Sequence, residues 1–123
     1  MIEWTIPEPR RLVDATIIGR ALPEHLKAYL SAVAAAGAMP YRKLFRVGGP
    51  DAIDARDIPA LAALVVKYGR GSAKVGPLAI VVGSRESNLL ADWFKSLASL
   101  DRPVRIFQQD VTALAWLGGI APP

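Results

Sequence analysis

Few side chains in this sequence have the chemistry that catalysis requires. His25 is the single imidazole, and imidazole is the side chain that titrates near neutral pH. It falls in the first turn of a predicted helix, opposite the leucine stripe of that helix, which favours a solvent-facing residue. Ser84 follows an apolar segment and opens a helix, but the second glycine of a Gly-x-Ser-x-Gly elbow is missing and no histidine follows it. We interpret Ser84 as a helix N-cap and predict no catalytic residue.

A glycine-rich segment, Gly69-x-Gly71-x-x-Lys74, has some likeness to loops that bind phosphate. Such loops follow a strand and open a helix, so that the helix amides face the anion. This segment follows a predicted helix and precedes a predicted strand, which is the reverse order. We therefore interpret it as a connecting loop and expect no nucleotide cofactor.

Three aspartates, Asp51, Asp54 and Asp57, could supply oxygen ligands to a hard cation. Their spacing is not that of a calcium-binding EF-hand loop. Aspartates at the start of a helix also accept backbone N–H bonds and interact favourably with the helix dipole. We predict that one or more of them cap the following helix and that no metal is bound.

The composition excludes several classes of site in this 123-residue chain. Cysteine is absent, which excludes disulfides, thiolate nucleophiles and cysteine-ligated metals. The net charge is +4 and the sequence pI about 9.8, but the basic residues arrive in ones and twos without interleaved aromatic residues. We expect most of them on a solvated surface and expect no nucleic-acid partner. No apolar run has the length of a membrane span, so we expect a cytoplasmic protein without stable membrane insertion.

Hydrophobic periodicity predicts a single α/β domain over residues 1–123. Helical periodicity is expected from Pro23 to a stop at Gly37, over 58–68, over 84–100, and from Asp110 to Gly118. Five segments have strand character, at residues 2–6, 12–18, 41–47, 78–82 and 103–107. The order ββαβαβαβα predicts an initial hairpin, parallel strand pairs and a mixed sheet of four to five strands with about four helices. The segment 78–82 should be the most buried strand, whereas segment 41–47 is less uniformly apolar.

Four short segments of the sequence resemble those of the bacterial SpoIIAA-like proteins of the STAS superfamily. They are Met-Pro-Tyr-Arg-Lys-Leu-Phe at 39–45, Gly-Pro-Leu-Ala-Ile-Val at 76–81, Arg-Pro-Val-Arg-Ile-Phe at 102–107 and Ala-Leu-Ala-Trp-Leu at 113–117. The resemblance covers residues 2–117. It implies a mixed sheet with helices mainly on one side, and a regulatory protein-binding module as the function.

The phosphorylation switch of the superfamily is missing from this sequence. In its anti-sigma-factor antagonists, an aspartate ends the third strand and a serine or threonine then accepts phosphate. Here Arg46 replaces the acidic position, and no serine or threonine lies between Ser31 and Ser72. The resemblance then implies a protein-binding surface without that acceptor, for which we select the residues Arg46, Gly48, Gly49, Asp51, Asp54 and Ser84.

Two functions from different classes follow. The first is a non-enzymatic regulatory module that binds a protein partner, with self-association into a homodimer through the edge strand 2–6 as a further expectation. The alternative is a small-molecule or lipid carrier, motivated by a hydrophobic content of 52% and by the fold-level link of the superfamily to CRAL-TRIO lipid-transfer domains. That link is an analogy, because a fold does not determine a function.

Overall fold

Five strands form one mixed sheet in the computed structural model, which describes residues 1–7, 10–49, 51–70, 74–82 and 102–120. The strands are β1 (Ile2–Thr5), β2 (Leu12–Ile17), β3 (Arg42–Val47), β4 (Leu78–Val82) and β5 (Val104–Phe107). They lie in the order β1-β2-β3-β4-β5. β1 pairs antiparallel with β2, and the remaining neighbours pair in parallel. The predicted hairpin and the predicted parallel pairs are confirmed.

The described residues contain three α-helices: α1 (Pro23–Ala35), α2 (Ile58–Arg70) and α3 (Asp110–Gly118). A short 3-10 helix (Ala55–Asp57) precedes α2. The sequence predicted about four helices, and the predicted segment 84–100, with Ser84 as its cap, lies outside the described residues. None of the helices in the described ranges combines the length and the apolar character that crossing a membrane demands.

Local chemistry explains where α1 begins and ends. Pro23 occupies the first helical position, where its missing N–H costs nothing. The Nδ1 atom of His25 accepts a hydrogen bond from the backbone N–H of Leu22 at 2.9 Å, which satisfies a donor at the helix start. Gly37 has a φ of +69°, a conformation that glycine adopts without strain, and it follows the helix as predicted. His25 therefore has a structural role at the start of α1.

Apolar side chains cover the two faces of the sheet unequally. The larger core lies between one face and helices α1 and α2, and it includes Val13, Val33, Phe45, Leu61 and Ile80. The smaller core lies on the opposite face, where Ala113 and Leu117 of α3 pack with Leu44 and its neighbours. All five residues of β4 are buried, as the sequence predicted, because helices cover the sheet on both faces there.

β3 is more buried than its mixed sequence indicates. It lies at the centre of the sheet between β2 and β4, and four of its six residues are buried. Lys43 is one of them, with 3% of its surface exposed. The expectation that the basic residues lie on a solvated surface is therefore wrong for Lys43. The reason is that its position in the strand alternation directs it toward the larger core, with Phe45 and Val47.

Gly76 lies at a close contact between the loop that precedes β4 and the loop that precedes β3. A Cβ atom at this position would overlap the backbone carbonyl oxygens of Pro40 and Tyr41. The N–H group of Gly76 donates to the carbonyl of Met39 at 2.9 Å. This bond joins the segment before β4 to the segment before β3. A side chain here would separate two backbone segments that cannot move independently.

We expect Gly76→Ala to lower the free energy of unfolding by about 2 to 3 kcal/mol, because the added methyl group must displace backbone atoms. Chemical denaturation measures this change. Gly49→Ala is the matched control: Gly49 is exposed and nothing lies within 4 Å of an added Cβ. Equal stabilities of the two variants would contradict the close contact.

Candidate functional site

An open groove lies at the carboxyl ends of the parallel strands β2 and β3. Its volume is about 690 Å³. The β2–α1 loop and the β3–α2 loop form its walls, and a hydrogen bond of 2.8 Å from the N–H of Ala21 to the carbonyl of Ala52 joins them. The carboxyl ends of parallel strands are the usual location of binding sites in α/β proteins. The lining residues are Ile17, Gly19, Arg20, Gly48, Gly49, Asp51, Ala52, Ile53, Asp54 and Ala55.

Four of the residues selected from the sequence line this groove, namely Gly48, Gly49, Asp51 and Asp54. Asp54 caps the 3-10 helix, since its carboxylate accepts the N–H of Arg56 at 2.8 Å. The prediction was a cap on the helix over 58–68, and Asp54 instead caps the short 3-10 helix that leads into it. The same carboxylate also pairs with the guanidinium groups of Arg56, at 2.8 Å, and of Arg20.

Asp54 carries a stable negative charge at neutral pH. The hydrogen bonds from Arg56 and the positive charges of Arg56 and Arg20 hold the pKa of this carboxyl far below its usual range. The two arginines reach into solvent around it, because the side chains of Arg20 and Arg56 are 52% and 87% exposed. The carboxylate of Asp54 therefore holds two accessible guanidinium groups: that of Arg20, which lines the groove, and that of Arg56.

Apolar side chains adjoin the charged rim of the groove. Ile18, directly after β2, is 47% exposed, and Met1 beside it is exposed to a similar degree. The N–H of Ile18 donates to the carbonyl of Met1 at 2.8 Å, so the two residues are held together. The terminal amino group of Met1 also donates to the carbonyls of Ile18 and Arg20, so these two exposed apolar residues adjoin the backbone of Arg20.

Arg46 does not line the groove, although the sequence grouped it with the residues that do. Its side chain lies on the sheet face that α3 covers. There it pairs with Asp14 of β2, and its Nε atom donates to the carboxylate of Asp110 at 2.8 Å. These bonds raise the pKa of Arg46, mainly through the hydrogen bond to Asp14. Arg46 therefore joins the start of α3 to two strands.

Asp110 begins α3 but does not cap it. Gln109 occupies the N-cap position instead, without a side-chain cap bond, and Asp110 is the first helical residue. The carboxylate of Asp110 is directed to Arg46, a stronger partner than a backbone amide because both groups are charged. Its negative charge at the helix start still interacts favourably with the helix dipole.

Arg42 holds the other end of α3. Its guanidinium donates to the carbonyls of Leu117 and Ile120 at 3.2 and 3.4 Å, and to the carbonyl of Arg10 at 2.9 Å. A cation is favourable at a helix C-terminus, where carbonyl groups lack intrahelical partners. Arg42, Leu44 and Arg46 share one face of β3, so a single strand face holds α3 at both ends and in the middle.

A second groove, of about 500 Å³, lies beside Arg42 at the amino ends of β2 and β3. We call it the arginine groove. Its described lining consists of three arginines, three leucines and one glycine, with no acidic residue. These residues are Arg10, Arg11, Leu12, Arg42, Leu114, Leu117 and Gly118. The sequence did not indicate this groove, because its residues come from three separated segments of the chain.

Lys43 of β3 and Tyr29 of α1 are buried residues with polar side chains. The ammonium group of Lys43 donates to the carbonyls of Met39 and Tyr41, at 2.5 and 2.9 Å. Burial, with a smaller contribution from the nearby charge of Arg102, lowers the pKa of Lys43 from 10.5 to about 7. Burial also raises the pKa of Tyr29 well above 10, and its hydroxyl has no hydrogen-bond partner among the described residues. The one signal in the sequence for the burial of Lys43 was its position two residues before the apolar Phe45, which places both side chains on the same face of the strand.

Catalytic and metal sites find no support in the described ranges. The described lining of the groove at the carboxyl ends contains neither an imidazole nor a hydroxyl group. No group of three or more potential ligands that could hold a metal ion occurs in the part of the chain that the structure describes. Ser84, the remaining residue selected from the sequence, lies outside the described ranges.

We expect Arg46→Met to lower the free energy of unfolding by about 1 to 2 kcal/mol, since it leaves two half-buried carboxylates without their cation. A double-mutant cycle with Asp110→Asn should give a coupling of about 0.5 kcal/mol or more. Lys27→Met, an exposed change on α1, is the control and should be close to neutral. Additive effects of the two changes would contradict the bridge.

Stability should rise with pH between about pH 7 and 10 because of Lys43. In this window the unfolded chain keeps the lysine proton that the folded chain has lost, so a higher pH favours the folded state. Above about pH 10, the raised pKa of Tyr29 acts in the opposite direction, since only the unfolded chain loses the phenol proton. Denaturation at about pH 6 and pH 9 measures the rise, and Lys43→Met should reduce it. An equal rise in that variant would assign it to other groups.

The comparisons with known proteins identify no relative of this chain. No family model matches the sequence, and neither the curated proteins nor the solved structures give a significant match.

Proposed function

We propose that this chain is a non-enzymatic protein-interaction module of the STAS type, and that it binds its partner at the groove at the carboxyl ends of β2 and β3. The observation that carries the proposal is the pairing of exposed Arg20, which lines the groove, and exposed Arg56 with the carboxylate of Asp54. Ile18, two residues before Arg20, adds an exposed apolar side chain. Arginine and apolar side chains together are typical of the energetic centre of protein interfaces.

The charges of the groove favour a partner with carboxylates at its surface. Asp54 neutralises one positive charge of the two arginines, and both guanidinium groups keep donors that face solvent. Planar guanidinium groups form paired hydrogen bonds with carboxylates, which gives directional recognition. Because Asp54 already fixes the positions of both arginines, less side-chain entropy is lost when a partner binds.

The backbone of the groove supports the same proposal. Gly48 and Gly49 are exposed and carry no side chain that would keep a partner away from the main chain. The groove is wide and open, which suits a protruding segment of a protein better than a small molecule that must be enclosed.

The chain has no serine or threonine between residues 31 and 72. A permanent carboxylate at Asp54 then makes binding independent of phosphorylation in this loop.

The proposal is tested by photo-crosslinking in cells with p-benzoylphenylalanine placed at Gly49, where the side chain has open space. We expect one dominant heterologous adduct, identified by mass spectrometry. Arg56→Gln in the same chain should reduce its yield severalfold, because a directional contact is lost while the backbone cap of Asp54 remains.

The matched control places the same photo-reactive residue at Lys67, an exposed position on α2. The Gly49 adduct should be absent there. Arg70→Gln, which removes an exposed charge outside the groove, should leave the Gly49 adduct unchanged. Identical adducts at both positions, or an adduct that Arg56→Gln does not affect, would refute the proposed surface.

A further inference from the structure

We infer that the arginine groove is a second binding site, which takes a small anionic amphiphile: a carboxylate or phosphate headgroup on an aliphatic chain. This inference goes beyond the proposed protein-interaction function, because the arginine groove lies at the opposite ends of β2 and β3 from the proposed protein-binding surface.

The headgroup end of the site is defined by Arg10 and Arg42. Every hydrogen bond of Arg42 to the described residues goes to a neutral backbone carbonyl, and its Nε atom is buried without a described partner. Its positive charge therefore has no carboxylate partner among those residues. Arg10 is exposed at the same groove, and its carbonyl oxygen receives one of the Arg42 bonds at 2.9 Å, so the two residues are held together.

The aliphatic end of the site is defined by leucines. Leu12 and Leu117 belong to the buried core under α3, and they form an apolar floor. Leu114 lines the same groove and is 41% exposed, although it lies on a helix that is fixed at both ends. An aliphatic chain laid against Leu114 would remove this surface from water, which is favourable at about 25 cal/mol per Å².

Size and charge favour a small ligand over a macromolecule or a second copy of this chain. A volume of about 500 Å³ lies within the range of pockets for small ligands. The arginines and the leucines line this one volume together, so a single short molecule can contact both. A symmetric contact between two copies would also bring their arginines together, and like charges repel.

The test is a titration of the full chain with sodium decanoate below its micellar concentration, followed by amide chemical shifts in NMR spectra. We expect saturable shifts at Leu114, Leu117 and Gly118. Arg10→Gln should weaken the affinity about threefold to fivefold, as expected for a partly exposed ion pair. Leu114→Asn should weaken it to a similar degree. Both positions are exposed, so thermal unfolding should confirm that the variants fold.

Three other probes separate the contributions to binding. Decyl phosphate shows whether the site accepts a phosphate as well as a carboxylate, and binding of either anion at these amides supports the inference. Decyltrimethylammonium has the same chain with the opposite charge and should bind at least tenfold more weakly. Inorganic phosphate has no chain and should also bind weakly. Lys67→Gln on α2 is the matched control variant and should leave the decanoate affinity unchanged.

Several results would overturn the inference. They are the absence of saturable shifts with both decyl anions, equal affinity for the cationic analogue, and shifts confined to amides outside the groove. An unchanged decanoate affinity in Arg10→Gln would do the same. None of these results bears on the crosslink at Gly49, so failure of this site and failure of the proposed protein-binding surface are distinguishable.

Discussion

The attachment of α3 to one face of β3 is the interaction on which the arginine groove depends, because α3 supplies one wall of that groove. Arg42 and Arg46 are four residues apart in an extended strand, a separation of about 13 Å, which matches the length of a nine-residue helix. Arg46 takes the carboxylate at the helix start, Arg42 takes carbonyls at the helix end, and Leu44 packs between them. The negative charge of Asp110 at the start of α3 and the positive charge of Arg42 at its end also match the polarity of the helix dipole.

The two ends of the sheet carry surfaces of different character. At the carboxyl ends of β2 and β3, Asp54 balances part of the charge of two arginines, and the surface suits a protein with its own acidic groups. At the amino ends, Arg42 bonds to neutral carbonyls, so its positive charge has no carboxylate partner among the described residues, and it lies in the same groove as exposed Leu114. The same residue that ends α3 thus makes the second groove suitable for an anion with an apolar chain.

Beneath the other face, a buried cation takes the place of an apolar side chain. Lys43 bonds to the carbonyls of Met39 and Tyr41, and Met39 also receives the N–H of Gly76. The loop that enters β3 is therefore joined to the loop that enters β4 by polar contacts in a dry environment. Such contacts are costly to break, because each buried group would lose its partner without gaining water. The arrangement makes the charge state of Lys43 relevant to stability near neutral pH.

Local order in the sequence determined the secondary structure and much of the topology. Alternation and short apolar runs located all five strands to within a residue, Gly37 marked the end of α1, and the strand–helix order implied the parallel pairs. The glycines and aspartates after β3 also supplied four of the ten described residues that line the groove at the carboxyl ends. Each of these signals acts between neighbours in the chain. Partners far apart were decided only by the tertiary structure: Arg46 meets carboxylates 32 and 64 residues away, and Arg42 meets a carbonyl 75 residues away. The charge of an arginine shows that it needs a partner, but only packing determines which acceptor comes within reach.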